Sequence, residues 1–312
     1  MAATTRKLAA CLLNVSEANK NIVESIAESA TSVSQDNGTC SSTVLNIFND
    51  KDYNRSVITI AAPLHHLADS VYNACRSAFD HINLTNHRGR HPRLGAVDLV
   101  PIHPLSDDGS LEECGVVAKE IANRVAVGVP GTSFFLFGAS DHQNRGLVQR
   151  RKDVGWYGGK FGINYDTLKH DIGENPTSRY GLTGIGGSPY VMNFNVTIDS
   201  KDLKIGRDIA SQIRATAPCG LPGVQSMAFE HEGRIEIACN VESIWNVLLN
   251  KYLYTEAATL KDLVERLSGE RGVKLFGSAL VGFSPQEALQ LTRIALETGQ
   301  NQFWKTRTIK MM

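Results

Sequence analysis

The chain has 312 residues, 42% of them apolar, with 32 acidic and 32 basic side chains in balance. That length suits two domains of ~150 residues each. Zero formal net charge excludes a global basic field for nucleic acid, so any anion site is local. Six cysteines, at 11, 40, 75, 114, 219 and 239, form no C-x-x-C pair. They are expected as reduced core thiols of a cytoplasmic protein, with neither a zinc site nor a disulfide frame.

The N-terminal apolar run, Leu8–Leu13, is too short for a signal sequence and is followed by polar Asn14, Ser16 and Glu17. No stretch approaches the length of a membrane span, so no membrane partner is expected. In chain order, 7–16 reads as a strand and 17–32 as a helix, with Ile22, Ile26 and Ala30 on one face. Strands follow at 43–48 and 56–62, joined by the turn sequence NDKDYNR. Pro63 opens a second helix carrying Leu67, Val71, Ala74 and Ala78. A strand at 97–103 completes a βαββαβ unit. A helix at 110–126 and a strand at 132–137 extend it.

Segment 141–188 shows no sustained apolar period, and nine of the 27 glycines fall at 155–187. It is expected as an irregular crossover that lines a cleft, with a surface loop as the plainer alternative. Arg150, Arg151 and Lys152 are expected to end a helix, where cations complement its dipole. The second half repeats the order: a strand at 190–198, a helix at 201–215, a hairpin of 224–230 and 234–241, a helix at 255–268, a strand at 273–283 and a helix at 285–297. The fold expected is α+β, with domains at 6–188 and 189–300.

The richest chemistry lies in NHRGRHPRLGAVDLVP, 86–101. Gly89 and Pro92 argue against a helix there, so His87 and His91 are no i, i+4 pair. A metal reading with His81, His87, His91 and His103 lacks cysteines and carboxylates, and Arg88, Arg90 and Arg93 would repel a cation, so no metal is expected. Nucleic acid would need stacking aromatics, and none lies between Asn83 and Pro101. A small anion fits better, because arginine forks grip carboxylates and cationic neighbours keep a histidine neutral and basic. A solvated basic loop remains the alternative. The glycine cluster at 181, 184, 186 and 187 precedes a strand, the reverse of a Rossmann loop. Its amides suit close approach to a flat ligand or a carboxylate, or simply a tight crossover. GLPGV, 220–224, suits a turn.

These residues resemble the formiminotransferase domain family, as in formiminotransferase-cyclodeaminase and its stand-alone plant relatives. The resemblance runs from about Leu8 to about Pro285. It is carried by NVSE (14–17), DYNRSVIT (52–59), HPRLGAVDLVP (91–101), the glycine segment with NFNV (181–196), GLPGV (220–224) and GSALVGFSP (277–285). No cyclodeaminase domain is expected.

The resemblance implies two ferredoxin-like subdomains with a folate cleft between them. It also implies transfer of a formimino group from N-formimino-L-glutamate to N5 of tetrahydrofolate, the co-substrate. His91 falls on the family's general base. Arg55, Arg90 and Arg93 become candidates for folate or donor carboxylates, and Asp98 for orienting the loop or His91. Gly181, Gly184, Gly186, Gly220 and Gly223 become candidate folate contacts. The implied partners are folate and a small amino-acid-derived donor, and a homodimer is implied.

Three charges of the family pattern are absent. An acidic residue of the first hairpin falls near Phe48, where Asp50 or Asp52 could substitute, and Ser188 and Ala279 stand where an arginine and a glutamate are usual. The alternatives are a folate-binding protein without transferase activity, or a transferase with another one-carbon donor.

Overall fold

The computed structural model describes residues 7–32, 41–89, 92–155 and 165–306. The chain divides into two compact units, one of 1–188 with 286–307 and one centred on 189–285. It is a mixed α and β protein.

The first unit begins with β1 (Leu8–Val15), α1 (Lys20–Ala30), β2 (Thr43–Asp50), β3 (Arg55–Pro63), α2 (Leu64–His81) and β4 (Val97–Pro104). It continues through α3 (Leu111–Gly128), β5 (Ser133–Gly138), α4 (Leu147–Asp153), β6 (Ile172–Gly173) and β7 (Thr183–Gly187). Local chemistry sets the helix starts. Asn19 Oδ1 accepts from the Asn21 amide at 3.0 Å, and Ser110 Oγ from the Glu113 amide at 3.2 Å. Pro63, which has no amide hydrogen to lose, sits immediately before α2.

These strands form one seven-stranded sheet in the order β2-β3-β1-β4-β7-β5-β6. β1 runs antiparallel to both β3 and β4, so its C-terminal end lies beside the start of each. β7 lies parallel between β4 and β5. Alternate residues of β1 (Ala9, Cys11, Leu13, Val15) join Ile58, Ile60, Val71, Phe79, Ile121 and Val125 in the main core under α1–α3. A smaller cluster of Leu94, Phe135, Phe137, Val154 and Leu182 lies beneath the segment entering β4.

Within segment 141–188, the described residues 141–155 and 165–188 are more ordered than the composition predicts. They hold α4, with Arg150–Lys152 in its last turn, and the buried strand β7, sequence TGIGG. The glycines of β7 serve tight packing: a Cβ on Gly186 would lie 2.1 Å from the Phe137 carbonyl oxygen, and one on Gly187 2.6 Å from the Gly115 amide in α3. Asp141, buried, accepts two side-chain bonds from Arg145, whose carbonyl in turn accepts from the Gly138 amide at the end of β5 at 2.8 Å.

The second unit runs β8 (Val191–Ile198), α5 (Leu203–Ile213), β9 (Val224–His231), β10 (Arg234–Glu242), β11 (Ile244–Asn246), β12 (Lys251–Leu253), α6 (Ala257–Gly269) and β13 (Leu275–Leu280). Its four-stranded sheet has the order β13-β8-β10-β9, and all its pairs are antiparallel. β8 alternates half-exposed and buried residues, the pattern of a sheet packed on one face. The short hairpin of β11 and β12 interrupts a stretch for which the sequence suggests no element.

α7 (Pro285–Glu297) leads the chain back to the first unit. There the Asn301 carbonyl accepts from the Val44 amide at 2.9 Å, and Lys305 pairs with Glu28 at 2.6 Å. Cys11, Cys75, Cys114 and Cys239 are buried free thiols, Cys219 is exposed, and Cys40 lies outside the described residues. Burial pushes the Cys75 thiol up to about 12. No helix among the described residues is long and apolar enough to cross a membrane.

Candidate functional site

The sheet topology brings three segments of sequence to one place. The end of β1, the turn before β3 and the loop before β4 meet at one end of the sheet. They line a small open cleft formed by Val15, Ser16, Tyr53, Asn54, Arg55, His87, Pro92, Arg93 and Asp98.

Each wall is built by local bonds. Ser16 ties β1 to the loop: its amide donates to the Ala96 carbonyl at 2.8 Å and its hydroxyl to the Gly95 carbonyl at 2.7 Å. The β2–β3 turn is shaped by Asp50, whose carboxylate accepts from the Tyr53 amide at 2.8 Å, and by Asn54 at φ +48°. Asn54 Oδ1 accepts from the Ala18 amide at 3.0 Å. Arg55 opens β3 and donates through Nη2 to Asn14 Oδ1.

Asp98, 7% exposed, holds the loop before β4. Its Oδ1 accepts from the Leu94 amide at 2.7 Å and from the Gly95 amide at 3.3 Å, while Oδ2 faces Arg151 at 3.9 Å. Gly95 packs so closely that a Cβ would lie 2.5 Å from the Val97 carbonyl oxygen. Gly181, at φ +68°, presses against the same loop, where a Cβ would lie 2.0 Å from the Leu94 carbonyl oxygen.

His87 is clamped against the β2–β3 turn, with Nε2 2.8 Å from the Asn54 carbonyl oxygen. Burial, and then the Arg93 charge, lower its affinity for a proton; the Asn54 carbonyl, Glu17 and Asp98 oppose this. Arg93 Nη2 reaches the His87 carbonyl at 3.4 Å. Burial lowers both Arg55 and Arg93 from the usual guanidinium value, Asp98 acting against it in each case. Both guanidinium groups stay charged near neutral pH. The cleft is therefore cationic on two sides, with one carboxylate and one imidazole.

Of the residues singled out from the sequence, Arg55, Arg93 and Asp98 share this cleft, and Gly181 backs its loop. Gly184 and Gly186 are buried inside β7. Gly220 and Gly223 shape the turn before β9 in the second unit, where Cβ atoms would lie 1.7 Å from the Arg214 carbonyl oxygen and 2.2 Å from that of Glu242. Arg90 and His91 lie outside the described residues. Sequence reasoning gave no role to Asn14, Ser16, Tyr53 or Asn54, although all four sit inside the quoted segments NVSE and DYNRSVIT. Among the described residues no group of three His, Cys, Asp or Glu side chains is placed to hold a metal ion.

The segments that build this cleft are the ones that carry the family resemblance. A family model described as the formiminotransferase domain, N-terminal subdomain, matches residues 8–188. A formiminotransferase cyclodeaminase-like protein of Arabidopsis thaliana is 30% identical, over 91% of this chain and 95% of its own. A glutamate formimidoyltransferase of Thermoplasma acidophilum is 29% identical over 79% of each chain. Another, of Streptococcus pyogenes serotype M1, is 27% identical over 91% of each. The chain belongs to the formiminotransferase family and is a transferase of that family.

Proposed function

We propose that this protein moves a formimino group from N-formimino-L-glutamate to N5 of tetrahydrofolate. The observation that carries the reading is the convergence of Arg55, Arg93 and Asp98 on one cleft with a half-buried imidazole. Two relatives named glutamate formimidoyltransferase support the same reaction. Each unit contributes a βαββαβ order, which we assign to a ferredoxin-like module. We further assign the protein to the cytoplasm, as a homodimer.

In this reading N5 attacks the amidine carbon and forms the N5–C bond. His91, which precedes the cleft residue Pro92, takes the N5 proton. The tetrahedral adduct then breaks its bond to the glutamate nitrogen, which leaves as the amine after receiving that proton. The arginines hold carboxylates of the two substrates, so that positioning supplies much of the acceleration and the base a further ~10²–10⁴-fold.

Ser188 and Ala279, which replace charges of the family pattern, favour a second reading: folate binding without transfer. Calorimetric binding of tetrahydrofolate and spectral detection of formimino transfer, for wild type and His91→Ala, separate the two. The leading reading expects binding in both and turnover in wild type alone. Binding without wild-type turnover selects the second reading. Turnover undiminished in His91→Ala removes that histidine from the mechanism.

A further inference from the structure

Two buried polar atoms of cleft-lining residues have no hydrogen-bond partner among the described residues: Nδ1 of His87 and Nε of Arg93. Their senses are opposite, and both are fixed. The Asn54 carbonyl can only accept, so His87 Nε2 carries the hydrogen. In the neutral ring Nδ1 is then a bare acceptor, while Arg93 Nε–H is a donor. Buried groups of this kind are nearly always satisfied, and leaving them so is costly. The two side chains are neighbours, since Arg93 also reaches the His87 carbonyl. One flat ligand edge that offers an N–H beside an acceptor would satisfy both.

We infer that His87 and Arg93 together read the lactam edge of a reduced pterin, the ring N–H donating to His87 Nδ1 and the carbonyl accepting from Arg93 Nε. The inference rests on the folate reading above and replaces the carboxylate role given there to Arg93 with a contact to a neutral group. A carboxylate has no hydrogen for Nδ1. The amidine of the donor substrate is protonated near neutral pH, so it offers N–H groups only and brings a positive charge towards Arg55 and Arg93. The lactam alone among these groups has both senses. Its carbonyl carbon is bonded to the ring-fusion carbon that carries N5. Gripping it therefore places N5 next to the segment that contains Pro92. His87 and Arg93 are thus assigned to pterin recognition, separate from the proton transfer given to His91.

The test uses the full chain and tetrahydrofolate, alongside the analogue in which an amino group replaces the lactam carbonyl oxygen and reverses both senses. His87→Gln keeps a side-chain N–H for the Asn54 carbonyl but removes the ring acceptor. Arg93→Lys keeps the charge but removes Nε. Calorimetry should show wild type preferring tetrahydrofolate to the analogue. Each variant should weaken tetrahydrofolate binding about tenfold and shrink that preference, with the KM of the donor unchanged. Equal affinity of wild type for the two ligands would overturn the inference, and so would unchanged tetrahydrofolate binding in folded Arg93→Lys. A rise in the KM of the donor alone would also overturn it. The preference of wild type and the behaviour of Arg93→Lys decide the matter even if His87→Gln does not fold. Lactam preference without formimino transfer would sink the transferase reading and leave the pair standing. Transfer with unaltered pterin binding in the variants would do the reverse.

Discussion

At the residue scale, Asp98 shows how one side chain can build a site that it does not itself fill. Its carboxylate gathers the Leu94 and Gly95 amides and faces Arg151. Without it, two buried amides at the cleft lose their acceptor. Asp98→Ala should therefore cost about 1–3 kcal/mol in stability. Asp98→Asn, which keeps a side-chain oxygen for the Leu94 amide, should recover much of that loss. Urea denaturation of the three proteins measures the order. Equal stability of Asp98→Ala and wild type would show that the loop holds itself without this residue. Arg93 was conspicuous among the cations gathered before a strand, whereas Arg55 and Asp98 became candidates only through the family resemblance. The role of His87 was not legible. It depends on Asn54, 33 positions away, presenting a carbonyl to one ring nitrogen while the other stays bare. That pairing exists only after the β2–β3 turn has folded against the loop.

At the scale of elements, the helices and most strands follow from apolar spacing. α2 and α3 run close to the predicted ranges because Leu67, Val71, Ala74 and Ala78, and Ile121, Ala122 and Val125, each line a buried face. β7 escaped because TGIGG offers little side chain for a period of two to act on, so its glycines read as a loop. Their reason is steric: neighbouring backbone lies where a Cβ would go. Gly186→Ala should accordingly lower stability by about 1–3 kcal/mol or more through overpacking in a central strand. The folded fraction should keep its tetrahydrofolate affinity. Thermal melts beside calorimetry decide between packing and ligand contact. Unchanged melting with weakened binding would make Gly186 a contact after all. The β11–β12 hairpin was also illegible, since the polar residues of IWNVLLNKYL, Asn246, Asn250 and Lys251, do not alternate with apolar ones to mark its strands.

At the scale of the whole molecule, the two units divide the chain differently from a cut at a single point. Residues 286–307 return to the first unit and pair with β2, although they follow the second unit in sequence. Chain order alone gives no sign of that return. The first unit therefore holds both ends of the described chain and, among the described residues, the cleft assembled from the ends of β1, β3 and β4. The central claim is that this cleft binds the substrates of formimino transfer. Hydrogen exchange of the full protein, with and without tetrahydrofolate and N-formimino-L-glutamate, tests it most directly, because ligand binding slows exchange where it restricts local opening. The account predicts added protection at residues 14–17, 53–56 and 92–98. Protection confined to other segments, with these three exchanging as in the free protein, would contradict it.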